Sequence, residues 1–223
     1  MAFQQRIAAI ISVVALAGTA GAQTDSTHFP RVWIAPLAVL ATASIDPEAR
    51  EWALHQHRKS LDRVARVVNP FGTAQRLVPA MALFYVGAHL ARDTSLERKT
   101  LVTAAAYVAT DLFESALKPA VGRERPHFAG RSAHFHPFTL NGDWHSFPSA
   151  HVAHIMAIVS AVSEQTNSRP IDLIGNGLVT LVALDRVYED QHWTSDVVAT
   201  AVLSSIISRR TVRWIESRAK HSP

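Results

Sequence analysis

Residues 94–117 read Thr-Ser-Leu-Glu-Arg-Lys-Thr-Leu-Val-Thr-Ala-Ala-Ala-Tyr-Val-Ala-Thr-Asp-Leu-Phe-Glu-Ser-Ala-Leu. Thr94 followed three residues later by Glu97 has the capping-box pattern, in which a hydroxyl and a carboxylate satisfy the free amides of a first helical turn. A long helix is therefore expected up to about Leu117. Working outward, the neighbouring segments read the same way. Asp46-Pro47 has the form of an N-cap followed by proline at the first helical position. Beyond it, Trp52, Leu61, Val64 and Val68 recur near helical spacing until Asn69-Pro70-Phe71-Gly72 stops the run. A second helix is expected over 74–91, and three more over 150–163, 170–187 and 195–213. No stretch sustains the period-two alternation of a strand between hairpin turns. The expected fold is all-α, a bundle of about six helices.

The chain has 223 residues, 48% of them hydrophobic and 18% charged. That suits one domain with a sizeable core and excludes a disordered chain. There is no cysteine, which removes disulfides, thiolate zinc sites and cysteine nucleophiles together. Twelve histidines are many for this length.

The first 22 residues carry Arg6, an apolar run over 7–17 and Ala20-Gly21-Ala22 before Gln23, the pattern of a secretory signal peptide. An exported protein, periplasmic or extracellular, is expected, with an N-terminal helical segment over 23–72, a core over 73–213 and a basic tail over 214–223. Removing residues 1–22 takes away only Arg6 and no acid, leaving 21 bases against 18 acids. Five cations (Arg209, Arg210, Arg213, Arg218 and Lys220) lie near the C-terminus against Glu216. The high pI thus marks a basic end rather than a nucleic-acid face. Such an end suits either an anionic membrane surface or the dipole of its own helix. A spanning helix needs about 20 mainly apolar residues. The apolar runs here are shorter and carry Asp111, Glu114, Asp172, Asp185 and Arg186, which favours a non-spanning domain, although the run over 78–91 is apolar nearly all round.

Three short constellations carry the chemistry. Lys118-Pro119-Ala120-Val121-Gly122-Arg123-Glu124-Arg125-Pro126 places a lysine at a helix end and an arginine seven residues on. Pro148-Ser149-Ala150-His151 opens an apolar helix. Arg186-Val187-Tyr188-Glu189-Asp190-Gln191-His192-Trp193-Thr194-Ser195-Asp196 places a histidine six residues after an arginine and an aspartate four further on. Each is weak alone; the three in this order, each beside a helix end, are specific.

Together they resemble the type 2 phosphatidic acid phosphatase family, which includes bacterial acid phosphatases and vanadium haloperoxidases. Its pattern is Lys-x6-Arg-Pro, Pro-Ser-Gly-His and Ser-Arg-x5-His-x3-Asp, and the resemblance covers roughly residues 75–210. Two positions depart from it: Ala150 stands for the usual glycine and Asp185 for the usual serine. The resemblance implies a helical bundle with its site at one end and metal-free hydrolysis of phosphate esters through a phosphohistidine.

Physical chemistry supports those roles. A phosphoryl group in transfer spreads negative charge over its oxygens, so catalysis is chiefly positioning and electrostatics. Lys118, Arg125 and Arg186 supply cations, Ser149 a hydroxyl, and the amides at Ala150 and His151 a helix N-terminus. His192 is the expected nucleophile, oriented by a hydrogen bond to Asp196, and His151 the acid and then the base. No cofactor is implied; vanadate could enter only as a phosphate mimic. The expected substrate is a phosphorylated small molecule or a lipid phosphate. Two rival readings are a vanadate-dependent haloperoxidase and a phosphate-binding member with weakened turnover. The loop with His127, His134, His136, Asp143, Trp144 and His145 reads as a lid, a solvated loop or, least well, a metal site, because its spacing is irregular.

Overall fold

The computed structural model describes residues 37–220 apart from 38 and 129, so the expected signal peptide lies outside the described residues. After a helical stretch at 39–43 come α1 (Asp46–His55), α2 (Lys59–Val68), α3 (Ala74–Leu90), α4 (Thr94–Val121), α5 (Ala150–Thr166), α6 (Arg169–Tyr188) and α7 (Thr194–Lys220), with short 3-10 turns at Asn69–Gly72 and Gly142–Trp144. The all-α expectation holds: among the described residues the only extended pairing is one isolated bridge between Arg123 and Phe135.

The differences from expectation have local causes. The first run is two helices, because it breaks at Gln56 and restarts after Arg58, whose backbone is extended. Asp46 does not cap α1: Ile45 takes that position and Asp46 is buried within the first turn. Asp93, not Thr94, caps α4, accepting the Leu96 amide at 2.9 Å. This helix runs through Pro119 to Val121 and ends on Gly122 in the left-handed region, φ +58°. Residues 214–220, expected as a tail, continue α7. Two of the cations near the C-terminus face inward, since Arg209 and Arg213 both bond Glu164 of α5.

Helix α5 is the axis of the bundle, packed by α4, α6 and α7. Its Val152, Ile155, Met156 and Val159 meet Val179 and Val182 of α6 and Val197, Val198 and Ala201 of α7 in the main core. A second cluster joins Val102 and Ala106 of α4 to Ala161 and Val212. Small residues let α5 and α7 approach closely, and buried Ser208 donates to the Ala157 carbonyl at 2.7 Å. Because the four helices alternate in direction, the C-terminal ends of α4 and α6 and the N-terminal ends of α5 and α7 share one end of the bundle. All three sequence constellations sit at those ends.

Helix α3 lies outside α4 and fully buries only Ala88. Leu83, Phe84 and Leu90 are at least 65% exposed, and Leu112 of α4 is equally so. Among the described residues no helix is long and apolar enough to cross a membrane.

Gly122 is where the chain must turn from α4 into the site loop. A Cβ there would fall 1.9 Å from the His136 carbonyl oxygen, and the positive φ strains any L side chain. Gly122→Ala should lower the unfolding free energy by about 2 kcal/mol or more, measured by chemical denaturation; a change within about 0.5 kcal/mol would contradict this account of the turn.

Candidate active site

The loop after α4 is held down by its own first residues. Arg123, one residue past the cap, is buried and places one guanidinium among four acceptors. Nη1 donates to Asp196 Oδ1 at 2.5 Å and Ser195 Oγ at 2.8 Å, Nη2 to Asp46 Oδ2 at 2.8 Å, and Nε to the Ser132 carbonyl at 2.9 Å. Asp46 in turn accepts the Ser195 amide at 2.8 Å and its hydroxyl at 2.5 Å. The start of α1, the loop and the start of α7 are thereby tied at one point. Neither Arg123 nor Asp46 stands out in the sequence: the Lys-x6-Arg spacing passes over the first, and Asp-Pro reads as a cap.

Asp196 also accepts from the Trp193 amide at 2.9 Å and the Ser146 hydroxyl at 2.6 Å. These bonds correct the expected His192–Asp196 contact. The His192 ring is oriented instead by the Ser146 carbonyl, which takes its Nδ1–H at 2.5 Å. Asp196 therefore acts through Ser146, holding the residue whose carbonyl sets the ring. With Nδ1 donating, Nε2 keeps its lone pair. Burial pushes the His192 ring well below the usual imidazole pKa, and the charges of Arg125, Lys118 and Arg186 act the same way, so the ring is neutral. Burial also raises Asp196 to about 6, against the pull of Arg123.

The three cations converge on this ring. Arg125 donates Nη1 to the Gln191 carbonyl at 3.2 Å and Nε to the Gly142 carbonyl at 3.1 Å, leaving Nη2 without an acceptor among the described residues. Arg186 turns Nε and Nη2 onto Asp185 Oδ2 and leaves Nη1 without an acceptor among the described residues, while its carbonyl accepts the His192 amide at 3.3 Å. Lys118 pairs with Glu114 one turn back in α4. Burial, reinforced by Arg125, lowers Lys118 to about 8. The carboxylate at Asp185 thus orients Arg186 and offsets its charge.

Ser149 is fully buried and takes the N-cap position of α5, but its hydroxyl makes no capping bond and has no partner among the described residues. Its amide donates to Thr200 Oγ1 at 2.9 Å. The amides of the first turn of α5 have no acceptor within the helix. Ala150 sits in that turn without a positive φ, so the departure from glycine costs no backbone strain. Burial, with the fields of Arg186, His154, Lys118 and Arg125, lowers His151 to about 4. Its Nε2 lies 3.0 Å from Asn69 Oδ1, a residue that in the sequence marks only a helix stop.

Three of the loop histidines have separate hydrogen-bond partners, and the His136 ring packs on Trp144. His127 bonds the Asp190 carbonyl at 2.9 Å, His134 bonds Glu124, and His145 bonds the Thr139 carbonyl at 3.0 Å. Among the described residues no three His, Asp or Glu side chains are gathered as a metal site would need. Trp193 is buried, donates Nε1 to the Glu124 carbonyl at 2.9 Å and carries the Arg50 and Arg123 guanidinium groups over its ring at 5.9 and 5.7 Å.

The family model of the PAP2 superfamily matches residues 99–220. The chain belongs to the PAP2 superfamily. No curated protein sequence matches it. Two solved structures share its fold. One is the transmembrane PAP2-type phosphatidylglycerolphosphate phosphatase of Bacillus subtilis, 21% identical, with a TM-score of 0.64 over 85% of this chain and 97% of that one. The other is LpxE of Aquifex aeolicus, 18% identical, with a TM-score of 0.61 over 76% of this chain and 95% of that one. This PAP2 chain places α1 and the 3-10 turn Asn69–Gly72, which precede the matched residues, against the site: Asp46 bonds Arg123 and Ser195, and Asn69 meets His151.

The lowered Lys118 gives a pH dependence with a definite sign. As pH rises through about 8 the amine loses its proton and one cation of the cup disappears. Competitive inhibition by inorganic phosphate should weaken across that range, and Lys118→Arg should carry the weakening to higher pH, since a guanidinium stays charged. An inhibition constant flat through this range in the wild type would contradict the placement of Lys118.

Proposed function

We propose that this PAP2 chain is a phosphatase that hydrolyses phosphate monoesters, lipid phosphates among them, through a phosphohistidine at His192 and without a metal ion. The observation that carries this reading is the His192 ring: buried, neutral, donating Nδ1–H to the Ser146 carbonyl, and set among Lys118, Arg125 and Arg186. A lone pair on Nε2 faces a field suited to the equatorial oxygens of a phosphoryl group.

Nε2 of His192 attacks phosphorus and the ester P–O bond breaks. The leaving oxygen takes a proton from His151. Water then gives a proton back to His151 as its oxygen attacks phosphorus, the P–N bond breaks, and inorganic phosphate leaves with His192 neutral again. Arg125 Nη2, Arg186 Nη1, the unpartnered Ser149 hydroxyl and the first-turn amides of α5 are the donors for the transferring group. An empty cup lowers His151; a phosphate dianion bound beside it reverses the sign of the local field and favours the acid form. Three fixed cations supply the charge that a divalent ion would otherwise provide.

Lipid phosphates are favoured by the apolar side chains that α3 and α4 hold in solvent, Leu83, Phe84, Leu90 and Leu112, because such a surface suits acyl chains next to the bundle. The Bacillus subtilis relative is named for a lipid phosphate, phosphatidylglycerolphosphate. Together with the leader pattern over 6–22, these features support a place on the outer side of a membrane, against the lipid.

Purified protein should release phosphate from an aryl phosphate and from a lipid phosphate in detergent, in excess chelator. Activity seen only after a divalent metal is added would overturn the mechanism. His192→Ala should abolish both turnover and acid-labile label. His151→Ala should lose about 10²–10⁴-fold in rate on the lipid yet still trap label from an activated aryl phosphate.

A further inference from the structure

The 3-10 turn Asn69–Gly72 lies upstream of the family match and is fastened to α5 at two points one helical turn apart. At the first, Asn69 Oδ1 lies 3.0 Å from His151 Nε2. At the second, the Gly72 carbonyl lies 3.1 Å from Nδ1 of buried His154, whose Nε2 meets Asp111 Oδ1 of α4 at 2.8 Å. The Tyr107 ring packs on His154 with centroids 5.0 Å apart. Between these points the turn backbone lies against the His151 side chain: a Cβ on Gly72 would fall 2.6 Å from His151 Cβ and 2.9 Å from Cδ2. Only glycine admits that approach, so the ring is held on one side by backbone and at one nitrogen by an amide.

We propose that Asn69 is a positioning residue for His151, accepting its Nε2–H so that Nδ1 alone exchanges a proton with the reacting oxygens. The consequence for rate rests on the phosphatase reading above; the assignment of the ring tautomer does not. The charged groups acting on His151 are Arg186 of α6, Lys118 of α4, Arg125 of the loop and His154 of its own helix, with Asp111 engaged by His154. Among cations, an imidazole left with a free choice of tautomer would present either nitrogen to substrate. A carboxylate at position 69 would fix the ring but hold the proton against its release. A neutral amide oxygen fixes the ring and leaves the proton free to go and return, as an acid that must next act as a base requires. Asn69 so placed acts through His151 and does not touch the phosphoryl group.

The test uses the full chain in detergent, labelled with ¹⁵N in the histidine rings, with His151 assigned by the signal lost in His151→Gln. In the wild type His151 should be the Nε2–H tautomer. Asn69→Ala should give a mixture of tautomers and lower kcat about tenfold or more, with KM changed less than about threefold. Asn69→Asp should restore the Nε2–H tautomer and move the alkaline limb of the kcat profile to higher pH. An Nδ1–H tautomer in the wild type, or an unchanged tautomer in folded Asn69→Ala, overturns the proposal. Should Asn69→Ala not fold, the wild-type tautomer and the limb of Asn69→Asp decide. Wild-type protein that releases no phosphate would overturn the functional reading, while the ring signals still decide the role of Asn69.

Discussion

The buried guanidinium of Arg123 holds two carboxylates from remote parts of the chain, Asp46 of α1 and Asp196 of α7, with no solvent to screen them. Isolated burial of any one of these charges would be costly, and removing one partner of such a group typically costs about 3–5 kcal/mol. The chain meets that cost by satisfying the remaining lone pairs with the Ser195 amide and hydroxyl, the Trp193 amide and the Ser146 hydroxyl. The consequence reaches the site directly. Ser146 is pinned by Asp196, and the Ser146 carbonyl decides which nitrogen of His192 keeps its lone pair. The ion-pair network thus fixes a tautomer about which the His192–Asp196 spacing by itself says nothing.

The electrostatics of the cup are a balance rather than an accumulation of positive charge. Lys118 is paired with Glu114 and Arg186 with Asp185, while Arg125 is held by neutral carbonyls. Among the described residues each of these two guanidinium groups keeps a nitrogen without an acceptor, so orientation comes from the protein and the open donor is left for an anion. Asp185, where the family pattern has serine, orients Arg186 and weakens the net field. In the proposed phosphatase cycle, a field no stronger than the transition state requires would favour release of the product phosphate.

Much of this is legible in the sequence. The helical run over 94–117 and its neighbours imply the bundle, because apolar spacing reports burial on α5, α6 and α7. The three constellations mark Lys118, Arg125, Ser149, Ala150, His151, Arg186 and His192, and the structure brings them to one end of the bundle. What stays hidden shares a physical character. Asp46, Asn69 and Ser146 reach the site through tertiary contacts, and locally each has another reading: a cap, a helix stop, a loop serine. Spacing finds Asp196 but assigns it the wrong partner, since it cannot tell a direct hydrogen bond from one relayed through a backbone carbonyl. The break after α1 lies where His57 stacks on Tyr188 and the Arg58 amide reaches its hydroxyl, and α4 extends through Pro119, whose carbonyl accepts the Phe138 amide of the site loop; periodicity records neither contact.

The central claim is that Nε2 of His192 meets phosphorus inside the cationic cup. A crystal structure of the protein with vanadate, which adopts the five-coordinate geometry of a phosphoryl group in transfer, tests it most directly. The account expects vanadium bonded to Nε2 of His192, its equatorial oxygens on Arg125, Arg186, Lys118 and the Ser149 hydroxyl, and His151 beside the apical oxygen. Vanadate bound to any other atom, or an occupied cup with His192 bonded through Nδ1 or turned away, would contradict it.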